Sequence, residues 1–262
     1  MTRAITSLAN PTVKAVRALH MRKAREESGQ FLAEGLKIVT EAVEQGRAPR
    51  QLLYSAEAAG HPLLRRAVAA ADAARGEAIE VSREILAKIS RRDNPQTVLA
   101  VFDQAFAPLA SLDPAAAACW VALEAVRDPG NLGTIVRTAD AAGCGGVILV
   151  GDCCDPFSVE AVRATMGSIF AVKLAKATAH DFLAWRAAWP GAVVGTQLTA
   201  TTDFRAARYA RPTLIVMGNE QAGLTPELAA ACDVTVKIPM RGRADSLNLA
   251  VATGIMIYAA TG

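Results

Sequence analysis

From about residue 119 onward, short apolar runs recur with helical stretches between them, and this alternation limits the fold more than any other feature. Trp120 to Val126, Gly146 to Val150, Ala171 to Leu174, Ala192 to Thr196, Thr213 to Met217 and Val234 to Ile238 have the length and Val/Ile/Leu content of strands. Stretches from about Asn131 to Ala142, Ser158 to Met166 and Leu247 to Ala260 read as helices. Strands that are apolar on both sides must be covered on both faces, and helices between them supply the crossovers that parallel strands need. The expected fold class is therefore α/β, with an open parallel sheet between layers of helices.

The first hundred residues alternate more weakly. Gly35 to Gln45 and Pro62 to Arg75 read as helices, Gln51 to Tyr54 and Thr97 to Phe102 as strands, and Glu80 to Lys88 as a strand running into a helix. Thr12 to Glu27 reads as one further helix, with Val13, Val16, Leu19 and His20 on one side. The segment around Pro108 and Pro114 carries almost no charge and looks like a linker. The sequence thus divides into a smaller α/β domain over residues 1–105, a linker over 106–118 and the larger sheet domain over 119–262.

Charge follows the same division. The chain has 262 residues and a formal net charge of +3. Residues 1–105 hold 16 Lys and Arg against 12 Asp and Glu, a balance of +4, which leaves −1 for the rest. Six basic side chains (Arg3, Lys14, Arg17, Arg22, Lys23, Arg25) occur before the first acid. Such a helix fits either contact with a polyanion or an ordinary solvated face.

Several classes are disfavoured. With 52% hydrophobic residues and little net charge the chain is not disordered. No apolar run approaches a membrane span, and no secretory signal is visible. Five cysteines without a Cys-x-x-Cys, and three scattered histidines, argue against a disulfide framework and a zinc site. The expectation is a cytoplasmic protein without metal. No Gly-x-Gly-x-x-Gly follows a strand and no Gly-Lys-Ser/Thr occurs, which disfavours dinucleotide and nucleoside-triphosphate sites.

Ligands of open parallel sheets bind beyond the carboxyl ends of the strands. Three loops there are rich in Gly, Asn and charge: residues 127–137, 217–223 and 238–248. Asn131-Leu-Gly-Thr-Ile-Val-Arg137, Val216-Met-Gly-Asn-Glu-Gln-Ala-Gly-Leu and Ile238-Pro-Met with Asp245-Ser-Leu-Asn-Leu-Ala resemble the three motifs of the SpoU (TrmH-like) RNA methyltransferases, in order and spacing over about residues 119–262. That family belongs to the knotted SPOUT superfamily. Ile5-Thr-Ser-Leu-Ala-Asn-Pro-Thr-Val-Lys and Phe31-Leu-Ala-Glu-Gly look, more loosely, like the RNA substrate-binding domain of many members.

The resemblance implies a C-terminal Rossmann-like parallel-sheet domain with a deep trefoil knot, a smaller N-terminal α/β RNA-binding domain, and a homodimer. It implies methyl transfer from S-adenosyl-L-methionine to a ribose 2′-hydroxyl in structured RNA, with ribosomal RNA favoured. Arg137, Asn131, Glu220, Ser246 and Asn248 would form the catalytic group, and Thr196, Gly218, Ile238, Met240 and Leu247 the cofactor pocket. Lys14, Arg17, Arg22, Lys23 and Arg25, with Arg241 and Arg243, are candidates for RNA contact.

The residues themselves leave alternatives. Asn131 suits a helix N-cap, Asp245 and Ser246 suit caps of the last helix, and Arg137 could pair with Asp140 on a surface. Glu220 is read as an anchor for the arginine or a loop backbone. A non-catalytic RNA-binding or ribosome-assembly protein of the same fold, and a methyltransferase acting on transfer RNA, are the competing functions.

Overall fold

The computed structural model describes residues 3–262. These form two compact units, one of residues up to Gln104 together with Asp155–Ala171, the other of Ala105–Cys154 and Val172–Gly262.

In the first unit the elements run β1 (Arg3–Ile5), α1 (Pro11–Ala18), α2 (Arg22–Ser28), β2 (Gln30–Glu34), α3 (Leu36–Glu44), β3 (Gln51–Tyr54), α4 (Pro62–Ala73), β4 (Glu77–Val81), α5 (Arg83–Ser90) and β5 (Val98–Asp103). The sheet order among the described residues is β1-β4-β3-β5-β2. β1 and β3 flank β4 in parallel, while β5 lies antiparallel to both β3 and β2. The single helix expected over 12–27 is two helices. Asn10 caps α1 by accepting from the Thr12 N–H at 2.9 Å, and Pro11 occupies the first turn. The chain then turns at Leu19–Met21, where His20 Nε2 lies 2.7 Å from the Ile89 carbonyl, tying the turn to the end of α5.

The second unit begins with residues 105–118. The expected linker is packed structure: Leu112 is buried, the Ala107 N–H donates to the Leu174 carbonyl at 2.7 Å, and the Trp120 indole donates to the Pro114 carbonyl at 3.2 Å. β6 (Cys119–Glu124), α6 (Pro129–Ala141) and β7 (Gly146–Val150) follow. The chain then enters the first unit as α7 (Val159–Thr165) and returns with β8 (Lys173–Ala177), α8 (Ala179–Arg186), β9 (Val193–Thr196), β10 (Thr202–Asp203), β11 (Thr213–Met217), α9 (Pro226–Ala230), β12 (Val234–Lys237) and α10 (Leu249–Thr261). Its sheet is parallel throughout, in the order β10-β12-β9-β11-β6-β7-β8. β6, β7 and β11 are buried along their whole length, as their unbroken apolar runs require.

Segment Asp155–Ala171 is held in the first unit by charge and by aromatic packing. Arg25 is 3% exposed; its Nε donates to Asp155 Oδ2 at 2.7 Å and its Nη1 to the Leu19 carbonyl at 2.7 Å. Arg163 Nη2 donates to the buried Glu34 carboxylate at 2.6 Å. Phe31 packs between Phe157 and Phe170, with ring centroids 4.9 and 5.8 Å away, and Phe102 lies 4.7 Å from Phe170 edge-on. Arg25 is therefore removed from the expected basic face, because its guanidinium satisfies an interior carboxylate. No described helix is long and apolar enough to cross a membrane.

Candidate active site

The carboxyl ends of β12, β9, β11 and β6, four neighbouring strands, carry the loops that line a cavity of about 570 Å³. That volume lies in the ordinary range for a small-molecule site. Thr196, Gly218, Ile238, Met240 and Leu247 all line it, together with Asn131, Glu220, Ser246 and Asn248. Gln197 and Leu198 after β9, Asn219, and Leu249 and Ala252 of α10 also contribute to the wall. Asn219 and Leu249 fall inside the quoted motifs, whereas nothing in the sequence marks Gln197 and Leu198, because the stretch after Thr196 lacks the Gly and Asn of the other loops.

The site is organised from Glu220 outward. Glu220 Oε2 accepts from the Arg127 N–H and Oε1 from the Asp128 N–H, both at 3.2 Å, and Oε1 also accepts from Asn131 Nδ2 at 3.3 Å. One carboxylate thus holds the turn after β6 and orients the Asn131 amide. Burial pushes the Glu220 carboxyl up, but the backbone N–H groups of Glu220 itself, Arg127 and Asp128, with the Asn131 amide, prevail and hold it below its ordinary value of 4.5. Asn131 Oδ1 in turn accepts from Asn248 Nδ2 at 2.8 Å. Three loops far apart in sequence are joined side chain to side chain at the rim of one cavity.

Two capping expectations are corrected. α6 is capped by Asp128, whose Oδ1 accepts from the Asn131 N–H at 2.6 Å, with Pro129 in the first turn. Asn131 lies inside that turn, which frees its side chain for Glu220 and Asn248. α10 is capped by Asn248, whose Oδ1 accepts from the Ala250 and Val251 N–H groups at 2.9 and 3.3 Å, rather than by Asp245 or Ser246. Ser246 is exposed, and its hydroxyl lies 3.3 Å from Asp245 Oδ1.

Backbone conformation sharpens the loops. Ala125 adopts φ 49°, a left-handed conformation unusual for alanine, and its carbonyl accepts from Asn219 Nδ2 at 2.8 Å. Asn219 Oδ1 accepts from the Gln221 and Ala222 N–H groups and closes the turn that Gly223, at φ 70°, completes. A Cβ on Gly218 would overlap the Gly223 and Leu224 backbone, so the close approach that requires glycine there is made by the chain itself. Behind the site, the buried Glu124 carboxylate accepts from the Thr225 N–H at 2.9 Å and from its hydroxyl at 2.8 Å.

The pocket is prepared for a polar ligand with an apolar body. Thr196 Oγ1 is buried and has no hydrogen-bond partner among the described residues, a state that an incoming donor or acceptor relieves. Ile238, Met240 and Leu249 offer apolar contact beside it. The residues present fit S-adenosyl-L-methionine, which combines an adenine ring with several hydrogen-bonding groups.

Arg137 is exposed on α6, about 9 Å along the axis from Asn131, and is not part of the cavity wall. It forms no ion pair among the described residues, so the pairing with Asp140 is not made. Among the RNA candidates, Lys14, Arg22 and Lys23 are exposed and Arg17 is half-buried. Arg22 pairs with Glu26 at 2.8 Å and Lys23 lies 3.8 Å from Glu27, both one helical turn on. Arg241 and Arg243 are exposed in the loop between β12 and α10.

Residues 118–258 match the model of the SpoU rRNA Methylase family, and residues 10–100 that of the MRM3-like substrate binding domain. The crystal structure of an AdoMet-bound rRNA methyltransferase from Sinorhizobium meliloti superposes with a TM-score of 0.93 at 48% identity, over 99% of this chain and 97% of that one. A 23S rRNA (uridine(2479)-2′-O)-methyltransferase of Streptomyces viridochromogenes is 31% identical over 91% of this chain and 85% of its own length. A 23S rRNA (guanosine(2553)-2′-O)-methyltransferase of Bacillus subtilis is 29% identical over 97% of each. With its three motif loops joined around one cavity and the family model matched across them, this chain belongs to the SpoU rRNA methylase family.

Proposed function

We propose that the protein transfers a methyl group from S-adenosyl-L-methionine to a ribose 2′-hydroxyl of ribosomal RNA. The observation that carries this reading is the linked Glu220, Asn131 and Asn248 side chains at the rim of a cavity whose wall holds an unpartnered Thr196 hydroxyl. The Streptomyces and Bacillus relatives, whose names specify 2′-O-methylation of 23S rRNA, support the substrate class.

S-adenosyl-L-methionine, when bound, supplies an electrophilic methyl group on a sulfonium, so the chain has to prepare the oxygen nucleophile. Thr196, Ile238, Met240 and Leu247 hold the cofactor, while Gly218 keeps the loop after β11 close against Gly223 and Leu224. Glu220 fixes Asn131 and the β6–α6 turn, and Asn131 fixes Asn248, so the rim is arranged before RNA arrives. Arg137, exposed and without an intramolecular ion pair among the described residues, orients a phosphate of the target and favours negative charge developing on the ribose oxygen. A guanidinium acts here through its charge, because it is already protonated and has no lone pair to accept the hydroxyl proton, which passes to water. Ser246 adds a hydroxyl close to the same rim.

The same reading includes a homodimer, cytoplasmic action and a trefoil knot in which the final helix threads through a loop of the chain. The outer side of α10 supports the dimer: Val251 and Tyr258 are 54% and 58% exposed, with Ile255 half-buried between them, an apolar stripe for a second copy to cover.

The test is transfer of labelled methyl to 23S rRNA, followed by mapping of the modified ribose. Arg137→Ala should lower turnover by roughly a hundredfold or more while calorimetry shows cofactor binding unchanged. Near-normal turnover by that variant would remove Arg137 from the mechanism, and no cofactor binding by the native protein would remove the whole reading.

A further inference from the structure

In the first unit, the C-terminal turn of α5 meets α1 at a second concavity, of about 560 Å³. Its charged wall consists of Arg17 from α1, Glu84 and Lys88 from α5, and Arg91, Arg92 and Asp93 just beyond. Four cations face two carboxylates in a space the size of a small-molecule site. Arg17, Lys88 and Arg91 form no ion pair among the described residues, whereas Arg92 Nε lies 4.0 Å from Glu34 Oε2.

An ordinary solvated face accounts poorly for this grouping. The negative end of α5 suits Lys88 and Arg91, but it does not bring Arg17 of another helix beside them. Arg91 also stands in the left-handed region, at φ 57°, where its N–H donates to the Ala87 carbonyl and closes α5. Glycine or asparagine is the usual residue there, and the conformation disfavours a long side chain.

We infer that Arg17, Lys88 and Arg91 form a cleft for the phosphodiester backbone of the RNA substrate. This deepens the proposed function and rests on it for the identity of the RNA. The wall is built of charged side chains with no aromatic ring for a base to stack on, so its unpaired cations suit the phosphate backbone first. Arginine forks bind phosphate oxygens bidentately and the lysine adds a point charge. Glu84 and Asp93 hold the attraction down.

The test measures binding of a structured RNA fragment by the full chain at several potassium chloride concentrations, beside turnover on 23S rRNA. Arg17→Gln with Arg91→Gln should weaken binding about tenfold or more and reduce the salt slope by about 1.5 to 2. KM for RNA should rise while kcat at saturating RNA, melting temperature and cofactor affinity stay unchanged. Glu84→Gln with Asp93→Asn should tighten binding of the same fragment. Unchanged affinity and slope in the first variant, or unchanged or weaker binding in the second, overturns the cleft. If native protein binds the fragment but never methylates 23S rRNA, the proposed substrate fails, while the two binding measurements still decide the cleft.

Discussion

Asn248 does two things with one side chain, and substitutions can separate them. Its Oδ1 caps α10 by accepting from the Ala250 and Val251 N–H groups, and its Nδ2 donates to Asn131 Oδ1. Loss of an N-cap costs about 1 kcal/mol. The exposed amide–amide hydrogen bond adds about 0.5 to 1 kcal/mol. Asn248→Ala should therefore destabilise by about 1.5 to 2 kcal/mol, or roughly 3 to 4 °C in melting temperature for a chain of this size. Asn248→Asp keeps the capping oxygen and places a negative charge at the helix N-terminus, where it is favoured. It removes the Nδ2 donor, however, and sets a carboxylate against Asn131 Oδ1. The Asn131 amide cannot reverse to relieve this, because its Nδ2 end is held by Glu220. Scanning calorimetry and methyl transfer on 23S rRNA should then diverge: the Asp variant melts near the native temperature yet loses most activity, whereas the Ala variant loses both. Native activity in the Asp variant, or native melting in the Ala variant, would refute the shared role.

Arg25→Ala should destabilise the first unit by about 3 kcal/mol, because it leaves the part-buried Asp155 carboxylate without its guanidinium; Arg25→Met with Asp155→Leu should recover much of the loss in urea titrations. The Glu220 carboxyl lies below its ordinary value in the folded state, so its contribution is present above about pH 4.5 and is lost as the pH falls through the lowered value. Urea midpoints of native protein and Glu220→Gln should accordingly differ at pH 6 and converge as the pH falls through that lowered value. A gap independent of pH would show that the carboxylate charge is not what holds the β6–α6 turn.

Much of the second unit was legible because its strands are buried on both faces and therefore read as unbroken apolar runs; β7 and β11 fall at the predicted residues. β1 and β2 were not anticipated, since three residues at an edge and a run ending in Glu34 carry little periodicity. The break between α1 and α2 is fixed by a tertiary contact, His20 with Ile89, which local pattern does not encode. Asp128 as a cap was available from the Asp-Pro pair, but the motif drew attention to Asn131 instead. The motif loops located the cavity wall, and only the fold revealed how Glu220, Asn131 and Asn248 are linked. Arg25 shows the limit most clearly. Its charge placed it on a basic face, yet its partner stands 130 positions later in the chain.

The detour of Asp155–Ala171 into the first unit also bears on how the protein is made. During synthesis the first hundred residues leave the ribosome before Asp155, Phe157, Arg163 and Phe170 exist. Arg25 and Glu34 then lack their partners, and Phe31 and Phe102 lack part of their cover. The amino-terminal half cannot reach its finished state until β6, α6 and β7 have been translated, so the usual order of one domain maturing before the next is replaced by joint completion.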